Sequence, residues 1–243
     1  MTKNILITGS AKRVGAYCAR YLHAQGANIL LHYRNSKDQA QALANELNSI
    51  RPDSVRLYQA ELQHIAAIQE LAKEAQHAWG GIDVLINNAS AFYATEMGEV
   101  TESQWDDLLA SNLKSPFFLV QALVPVLERR KGCVVNIVDI HAQNGLPGFP
   151  VYSIAKAGLV ALTKVLAKEL APQIRVNAVA PGAILWPEHE VDELEKQEIQ
   201  AKVALQRTGS PEDIAQAIAY LINDAGYMTG QVLTIDGGRT LFS

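Results

Sequence analysis

Several features that define whole classes of protein are scarce in this chain of 243 residues. It has two cysteines, Cys18 and Cys133, which are too few for a disulfide framework or a cysteine-based metal site. Charged residues make up 19% and the net charge is −4, whereas a dedicated nucleic-acid-binding domain is usually basic. The six histidines lack the spacing of metal ligands. We therefore expect no metal and no nucleic-acid partner.

Long apolar runs are also lacking. No run approaches the ~18 apolar residues of a membrane span. The first residues enter a short strand and a glycine turn, not the long apolar region of a signal peptide. Hydrophobic residues nevertheless make up 49% of the chain, which is enough for a sizeable core. These observations predict a soluble, cytoplasmic protein with one domain, residues 1–243, and no membrane partner.

Short apolar runs alternate with amphipathic segments along the chain. We expect strands at 4–8, 27–33, 54–59, 82–87, 133–138, 174–179 and 231–235, and helices at 14–25, 38–48, 65–79, 101–129, 151–170 and 211–223. This alternation predicts an α/β fold, namely a single-domain doubly wound (Rossmann-like) parallel sheet with helices on both faces. Residues 183–208 depart from the rhythm after a strand end, where such folds bind ligands, and we interpret them as a substrate loop.

A glycine turn follows the first strand and opens the first helix. Gly9 and Gly15 let the backbone approach a pyrophosphate, and the start of the helix offers N–H groups to it. A protein that binds NAD usually has a carboxylate about 20 residues later. Here Arg34 stands in that region, and a guanidinium suits a 2′-phosphate. The pattern predicts NADPH as the cofactor.

Tyr152 and Lys156 open the helix that follows the fifth strand. Their i, i+4 spacing places both side chains on one face of that helix. A lysine ammonium close to a phenol lowers the pKa of the phenol from about 10 toward neutrality. We therefore expect Tyr152 to act as a general acid in hydride-transfer chemistry.

Together these motifs resemble the short-chain dehydrogenase/reductase family over nearly the whole chain. The matching segments are 8–15, 87–89, 112, 152–156, 181–182 and 235–238. The resemblance implies a homotetramer, and it implies that Asn112 holds a water that relays protons to Lys156. The residues then expected to contact the cofactor are Gly9, Arg13, Val14, Gly15, Tyr33, Arg34, Asn35, Ser36, Glu61, Leu62, Asn88, Ala89, Ser90, Tyr152, Lys156, Pro181 and Gly182.

Two positions depart from the pattern of that family. Arg13 stands where typical members have a third glycine, and Asp139 stands where they have a serine 13 residues before the tyrosine. An ionised carboxylate only accepts hydrogen bonds and repels a developing oxyanion. Asp139 therefore disfavours simple ketone reduction and favours a substrate that presents N–H groups or is protonated at nitrogen.

Arg13, Asp139 and the segment 88–93 are similar to the pteridine reductase branch of the family. That resemblance implies that Phe92 stacks on a pterin and that Asp139 acts with Tyr152 in proton delivery. We therefore predict NADPH-dependent reduction of a pterin or folate at a ring C=N bond. The expected catalytic residues are Asp139, Tyr152, Lys156 and Asn112, and the expected substrate-binding residues are Arg13, Ser90, Phe92, Asp139, Tyr152 and Trp186.

Two other functions stay open on the sequence. One is a carbonyl reductase of the same family that acts on a 3-oxoacyl thioester or another ketone. Asp139 is an argument against this function. The other is a non-catalytic NADP(H)-binding sensor. The presence of all three residues Asn112, Tyr152 and Lys156 is an argument against it. Turnover of a substrate panel distinguishes these functions.

Overall fold

One sheet of seven strands forms the centre of the protein in the computed structural model, which describes residues 2–184 and 193–242. The strands are β1 (Asn4–Ile7), β2 (Asn28–Tyr33), β3 (Val55–Gln59), β4 (Val84–Asn87), β5 (Cys133–Ile137), β6 (Arg175–Pro181) and β7 (Val232–Ile235). Their order across the sheet is β3-β2-β1-β4-β5-β6-β7, and every pairing is parallel. All seven carboxyl ends therefore lie along one edge of the sheet.

Helices cover both faces of this sheet. They are α1 (Arg13–Ala24), α2 (Lys37–Ile50), α3 (Ile65–His77), α4 (Glu102–Leu109), α5 (Ser115–Arg130), α6 (Pro150–Glu169), α7 (Glu193–Ala201) and α8 (Pro211–Asn223). The arrangement confirms the predicted fold class. The additional helix α7 lies inside the segment that we predicted as a substrate loop.

Side-chain alternation along β1 shows how the two halves of the core form. Ile5 and Ile7 are buried in the cluster that includes residues of α1 and α8. Leu6, between them, is buried in the cluster that includes residues of α3 and α5. A strand covered on both faces needs apolar side chains on both sides, which is why Ile5, Leu6 and Ile7 form a continuous apolar run. Each such buried side chain contributes about 1.5–3 kcal/mol.

The helix predicted at 101–129 is interrupted in the structure. A π-helical turn, Ala110–Lys114, separates α4 from α5. Pro116 lies in the first turn of α5 and has no N–H to give to the carbonyl four residues earlier, that of Asn112. The Asn112 side chain also donates to the carbonyl of Leu108, at 3.0 Å. The regular pattern of backbone hydrogen bonds along the helix therefore changes at Asn112, and the π-helical turn brings this residue to the carboxyl edge of the sheet.

Helix α6 is long and apolar enough to cross a membrane by length and composition alone. In the structure it packs against β6 and α4. Its first two turns carry Tyr152 and Lys156, both of which are buried. One face of this helix therefore packs against the fold and brings two ionisable groups to the sheet.

We expect Leu85→Ala to destabilise the protein by about 2–5 kcal/mol, because Leu85 is fully buried on the central strand β4 and its truncation leaves a cavity. Urea unfolding followed by circular dichroism measures this loss. The control is Ile50→Ala at the end of α2, where the side chain is 72% exposed and the expected change is within about 0.5 kcal/mol. Equal losses in the two variants would contradict the assignment of Leu85 to the core.

Candidate active site

The turn after β1 is held against the end of β4 by side-chain hydrogen bonds. The hydroxyl of Thr8 accepts the backbone N–H groups of Asn88 and Ala89, both at 3.0 Å. The amide of Asn88 donates to the carbonyls of Thr8 and Gly9, at 2.9 and 3.0 Å. Two segments that the sequence assigns to the cofactor are thus fixed to each other.

Close packing explains the two glycines of this turn. Gly9 has φ +61°, and a Cβ added there would lie 2.9 Å from the Cα of Ala89. A Cβ added at Gly15 would lie 2.6 Å from both the carbonyl oxygen of Gly9 and the amide nitrogen of Asn88. Arg13, which replaces a glycine of the family pattern, has φ +53°. The left-handed backbone at this position accounts for the usual glycine.

The start of α1 fits an anion. Lys12 is its N-cap residue and makes no side-chain cap hydrogen bond, and the first turn of this helix has no acidic residue. The first N–H groups of a helix lack partners within the helix, and together with the helix dipole they favour a phosphate. The glycine turn and α1 therefore fit the pyrophosphate of a dinucleotide, and the contacts of Gly9, Val14 and Gly15 with it stay a prediction.

The ends of β2 and β3 bring a second set of predicted residues together. Arg34 follows β2, and its Nε lies 3.5 Å from a carboxylate oxygen of Glu61, which follows β3. Gln59 donates to the backbone carbonyl of Arg34, at 2.9 Å. The side chain of Leu62 belongs to the core, and its contact with the cofactor stays a prediction. A guanidinium at this edge suits a 2′-phosphate.

Other predicted cofactor residues occupy the same end of β2. The side chain of Tyr33 is buried, whereas Asn35 is exposed, and Ser36 is the N-cap residue of α2. The cofactor contacts of these three residues stay a prediction.

Three predicted catalytic residues meet between β5 and α6. The hydroxyl of Tyr152 donates to Oδ2 of Asp139, at 2.8 Å. The other carboxylate oxygen of Asp139 accepts the backbone N–H of His141, at 2.8 Å. The ammonium of Lys156 donates to the carbonyl of Ile137, at 2.8 Å, and lies 5.7 Å from the centre of the Tyr152 ring.

Burial and Asp139 set the protonation of this group. Burial raises the pKa of Tyr152 far above its usual value, and the charge and hydrogen bond of Asp139 raise it further. Burial lowers the pKa of Lys156 to about 8, although Asp139 opposes that shift. The prediction that the pKa of Tyr152 falls toward neutrality is therefore wrong, because burial and Asp139 outweigh any effect of the Lys156 ammonium. The phenol contacts a carboxylate directly, whereas the ammonium is bound to a backbone carbonyl.

An aromatic group lies beside Tyr152. The ring of Phe92 stacks on that of Phe149, with centroids 4.7 Å apart and planes 7° apart. The edge contact between Phe92 and Tyr152 has centroids 4.8 Å apart. Phe92 is still 52% exposed, so it forms part of a surface next to the phenol.

Asn112 joins the segment after β4 to the π-helical turn. Its side-chain oxygen accepts the hydroxyl of Ser90, at 2.6 Å, and its amide donates to the carbonyls of Ala91 and Leu108. The side chain thus fixes the position of Ser90. The water relay to Lys156 stays a prediction, as do the substrate contacts of Ser90 and Arg13.

The end of β6 completes the described part of the site. The N–H of Gly182 donates to the carbonyl of Ile235 at the end of β7, at 2.9 Å. A Cβ at Gly182 would lie 2.7 Å from the Cα of Asp236, so the packing requires glycine here. The placement of Pro181 and Gly182 beside a nicotinamide stays a prediction. Trp186 lies outside the described residues.

Comparison with known protein families identifies the family of this chain. A family model described as enoyl-(acyl carrier protein) reductase matches residues 9–240. The chain belongs to the short-chain dehydrogenase/reductase family. It is an oxidoreductase, and the prediction of NADPH as its cofactor is confirmed.

Similar curated proteins cover nearly the whole chain. One is 3-oxoacyl-(acyl-carrier-protein) reductase FabG of Staphylococcus epidermidis, 36% identical over 98% of this chain and 99% of its own. A protein of the same name from Thermotoga maritima is 36% identical over 98% of each chain. Nodulation protein G of Rhizobium sp. is 35% identical over 98% of this chain and 97% of its own.

These relatives correct one prediction. The reduction of a pterin or folate is wrong as the function of this chain, because relatives that match it from end to end are named 3-oxoacyl-(acyl-carrier-protein) reductases. The assignment to the pteridine reductase branch rested on Arg13, Asp139 and the segment 88–93. In the structure, one face of Phe92 is already covered by Phe149.

We expect Gly15→Ala to weaken NADPH binding at least about tenfold. The added methyl group would collide with the Asn88 amide nitrogen and the Gly9 carbonyl oxygen, and so would break the hydrogen bond that joins Asn88 to the glycine turn. NADPH fluorescence titration measures the Kd. The matched control is Gly226→Ala, where an added Cβ meets no atom within 4 Å. An unchanged Kd in Gly15→Ala would show that the turn does not hold the cofactor.

We expect Asp139→Asn to lower the pKa of Tyr152 by at least about one pH unit. The substitution removes a negative charge that disfavours the phenolate, so the sign of the change is downward. The fraction of Tyr152 that is ionised at the highest pH at which both proteins stay folded measures the change, and it is read from the ring-carbon chemical shift of ¹³C-labelled tyrosine assigned with Tyr152→Phe. A constant or higher pKa would refute the charge effect of Asp139.

Proposed function

We propose that this chain is an NADPH-dependent carbonyl reductase whose substrate is a 3-oxoacyl thioester. The observation that supports it best is the similarity, over 98% of the chain, to relatives named 3-oxoacyl-(acyl-carrier-protein) reductase. The site contributes a buried phenol and a buried ammonium on one helix face, next to the carboxyl ends of β5 and β6.

NADPH supplies a hydride to the carbonyl carbon when it is bound. In this proposal the glycine turn and α1 bind its pyrophosphate, and Arg34 binds its 2′-phosphate. Tyr152 gives its hydroxyl proton to the carbonyl oxygen as that oxygen becomes an alkoxide. The product is the 3-hydroxyacyl thioester, and Tyr152 then regains a proton from solvent. Lys156 stabilises the phenolate that forms between these steps.

Asp139 sets a condition on this chemistry. The hydroxyl of Tyr152 has one hydrogen, and in the structure this hydrogen is directed to Asp139. A substrate carbonyl therefore competes with a carboxylate for it. A serine at this position would donate to the carbonyl as well, whereas an ionised carboxylate cannot. We infer that ketone reduction here is slower than with serine at position 139.

Two further properties belong to this proposal. We propose a homotetramer, which is supported by exposed apolar side chains on the helices that flank the site, namely Phe117 on α5 and both Ile154 and Val165 on α6. We also propose that the protein acts in the cytoplasm.

We expect the purified protein to oxidise NADPH in the presence of acetoacetyl thioester, and to oxidise NADPH faster than it oxidises NADH. Tyr152→Phe keeps the ring but removes the proton donor, and it should lower kcat at least about a hundredfold.

Asp139→Ser should raise kcat/KM for the thioester about tenfold or more, because a hydrogen-bond donor replaces a negative charge that repels the alkoxide. Loss of NADPH absorbance measures each rate.

The same assay separates the competing functions. A crotonyl thioester tests for reduction of a C=C bond, the activity named in the description of the matching family model. Turnover of that compound alone would overturn the proposal in favour of an enoyl reductase. Tight NADPH binding without turnover of any thioester or ketone would instead indicate a sensor.

A further inference from the structure

His32 lies in the interior of the fold, between two segments assigned to the cofactor. It is the penultimate residue of β2, and 2% of its surface is exposed. Its Nδ1 lies 3.1 Å from the backbone nitrogen of Gly9 in the glycine turn. Its Nε2 lies 3.0 Å from the carbonyl oxygen of Ala60, the residue before Glu61. The ring therefore spans the gap between the ends of β1 and β3.

The two partners determine the protonation of the ring. A backbone N–H can only donate, so Nδ1 must be unprotonated to accept from Gly9. A carbonyl can only accept, so Nε2 must carry the hydrogen that it gives to Ala60. Only the neutral ring with hydrogen on Nε2 satisfies both bonds. Burial lowers the pKa of His32 to about 4, although the bond to Ala60 opposes this shift, so the ring is neutral in ordinary buffers.

The backbone of the same strand end strengthens this connection. The carbonyl of His32 accepts the backbone N–H of Ser10, at 3.0 Å. The next carbonyl, that of Tyr33, accepts the N–H of Ala60, at 3.2 Å. Three neighbouring strand ends are thus joined at one residue, and each leads into a segment expected to contact NADPH.

We propose that His32 is a positioning residue for NADPH, because its ring fixes the glycine turn in the conformation that accepts the pyrophosphate. The proposal depends on the cofactor and not on the carbonyl substrate. Since the N–H of Gly9 is already used by His32, the pyrophosphate is bound by other N–H groups of the turn and of α1. The ring fixes where those groups point without contacting the cofactor.

Two substitutions separate the two bonds of the ring. In His32→Asn, the side-chain oxygen occupies the place of Nδ1 and can still accept from Gly9, but the bond to Ala60 is lost. In His32→Gln, the side-chain nitrogen occupies the place of Nε2 and can still donate to Ala60, but the bond to Gly9 is lost. The variants are polar, similar in size and equally unable to ionise.

We expect His32→Gln to raise the Kd for NADPH about tenfold or more, and His32→Asn to stay within about threefold of the unchanged protein. Fluorescence titration of NADPH measures the Kd, and thermal unfolding reports the stability of each variant. At saturating NADPH, kcat and the KM for the carbonyl substrate should change little in either variant. A histidine that only fills the core would lower both melting temperatures and leave both Kd values unchanged.

Three outcomes would overturn the proposal. They are an unchanged Kd in His32→Gln, equal weakening in the two variants, and a ring with hydrogen on Nδ1 in the unchanged protein. The last is measured by ¹⁵N NMR of the histidine ring and needs no variant that folds. A protein that binds NADPH but does not reduce a 3-oxoacyl thioester would refute the proposed substrate, and the test of His32 would stand.

Discussion

Parallel pairing of every strand is the constraint on which the site depends. Parallel neighbours need a crossover between them, so helices must cover both faces of the sheet. The same pairing places all carboxyl ends at one edge, where residues far apart in the chain become neighbours. Thr8 and Asn88 are 80 residues apart and share a hydrogen bond there. Asp139 and Tyr152 meet at the same edge, after β5.

Much of this arrangement could be predicted from local sequence. Apolar runs such as that of β1 identified strands, and the helix expected from residue 101 begins at Glu102, where Thr101 and Gln104 form a capping box. The π-helical turn could not be predicted, because its cause is a hydrogen-bond rearrangement around Asn112 and Pro116 within an otherwise periodic segment. The role of His32 was equally hidden, since a histidine in an apolar strand has the same pattern as an ordinary core residue.

The error about the substrate has a physical explanation. Asp139 was expected to act together with Tyr152, and the structure places the two in contact. One altered side chain nevertheless defines a local electrostatic environment and does not identify the molecule that enters it. Sequence similarity over the whole chain depends on residues throughout the fold. Here the similar proteins are named 3-oxoacyl-(acyl-carrier-protein) reductase. The pKa of Tyr152 was misjudged for a related reason, because spacing shows which groups are near but not how deeply they are buried.

The ion pair between Arg34 and Glu61 has a consequence for the choice between the two nicotinamide dinucleotides. The guanidinium already has an anionic partner at 3.5 Å, so a 2′-phosphate that binds Arg34 as proposed would exchange one anion for another. Selectivity therefore equals the difference between the phosphate and carboxylate interactions, which is smaller than the full attraction of an unpaired arginine. A cofactor without the 2′-phosphate leaves the ion pair between Arg34 and Glu61 intact, so neither charge loses its partner. Discrimination at this edge is graded, and Glu61 sets its size.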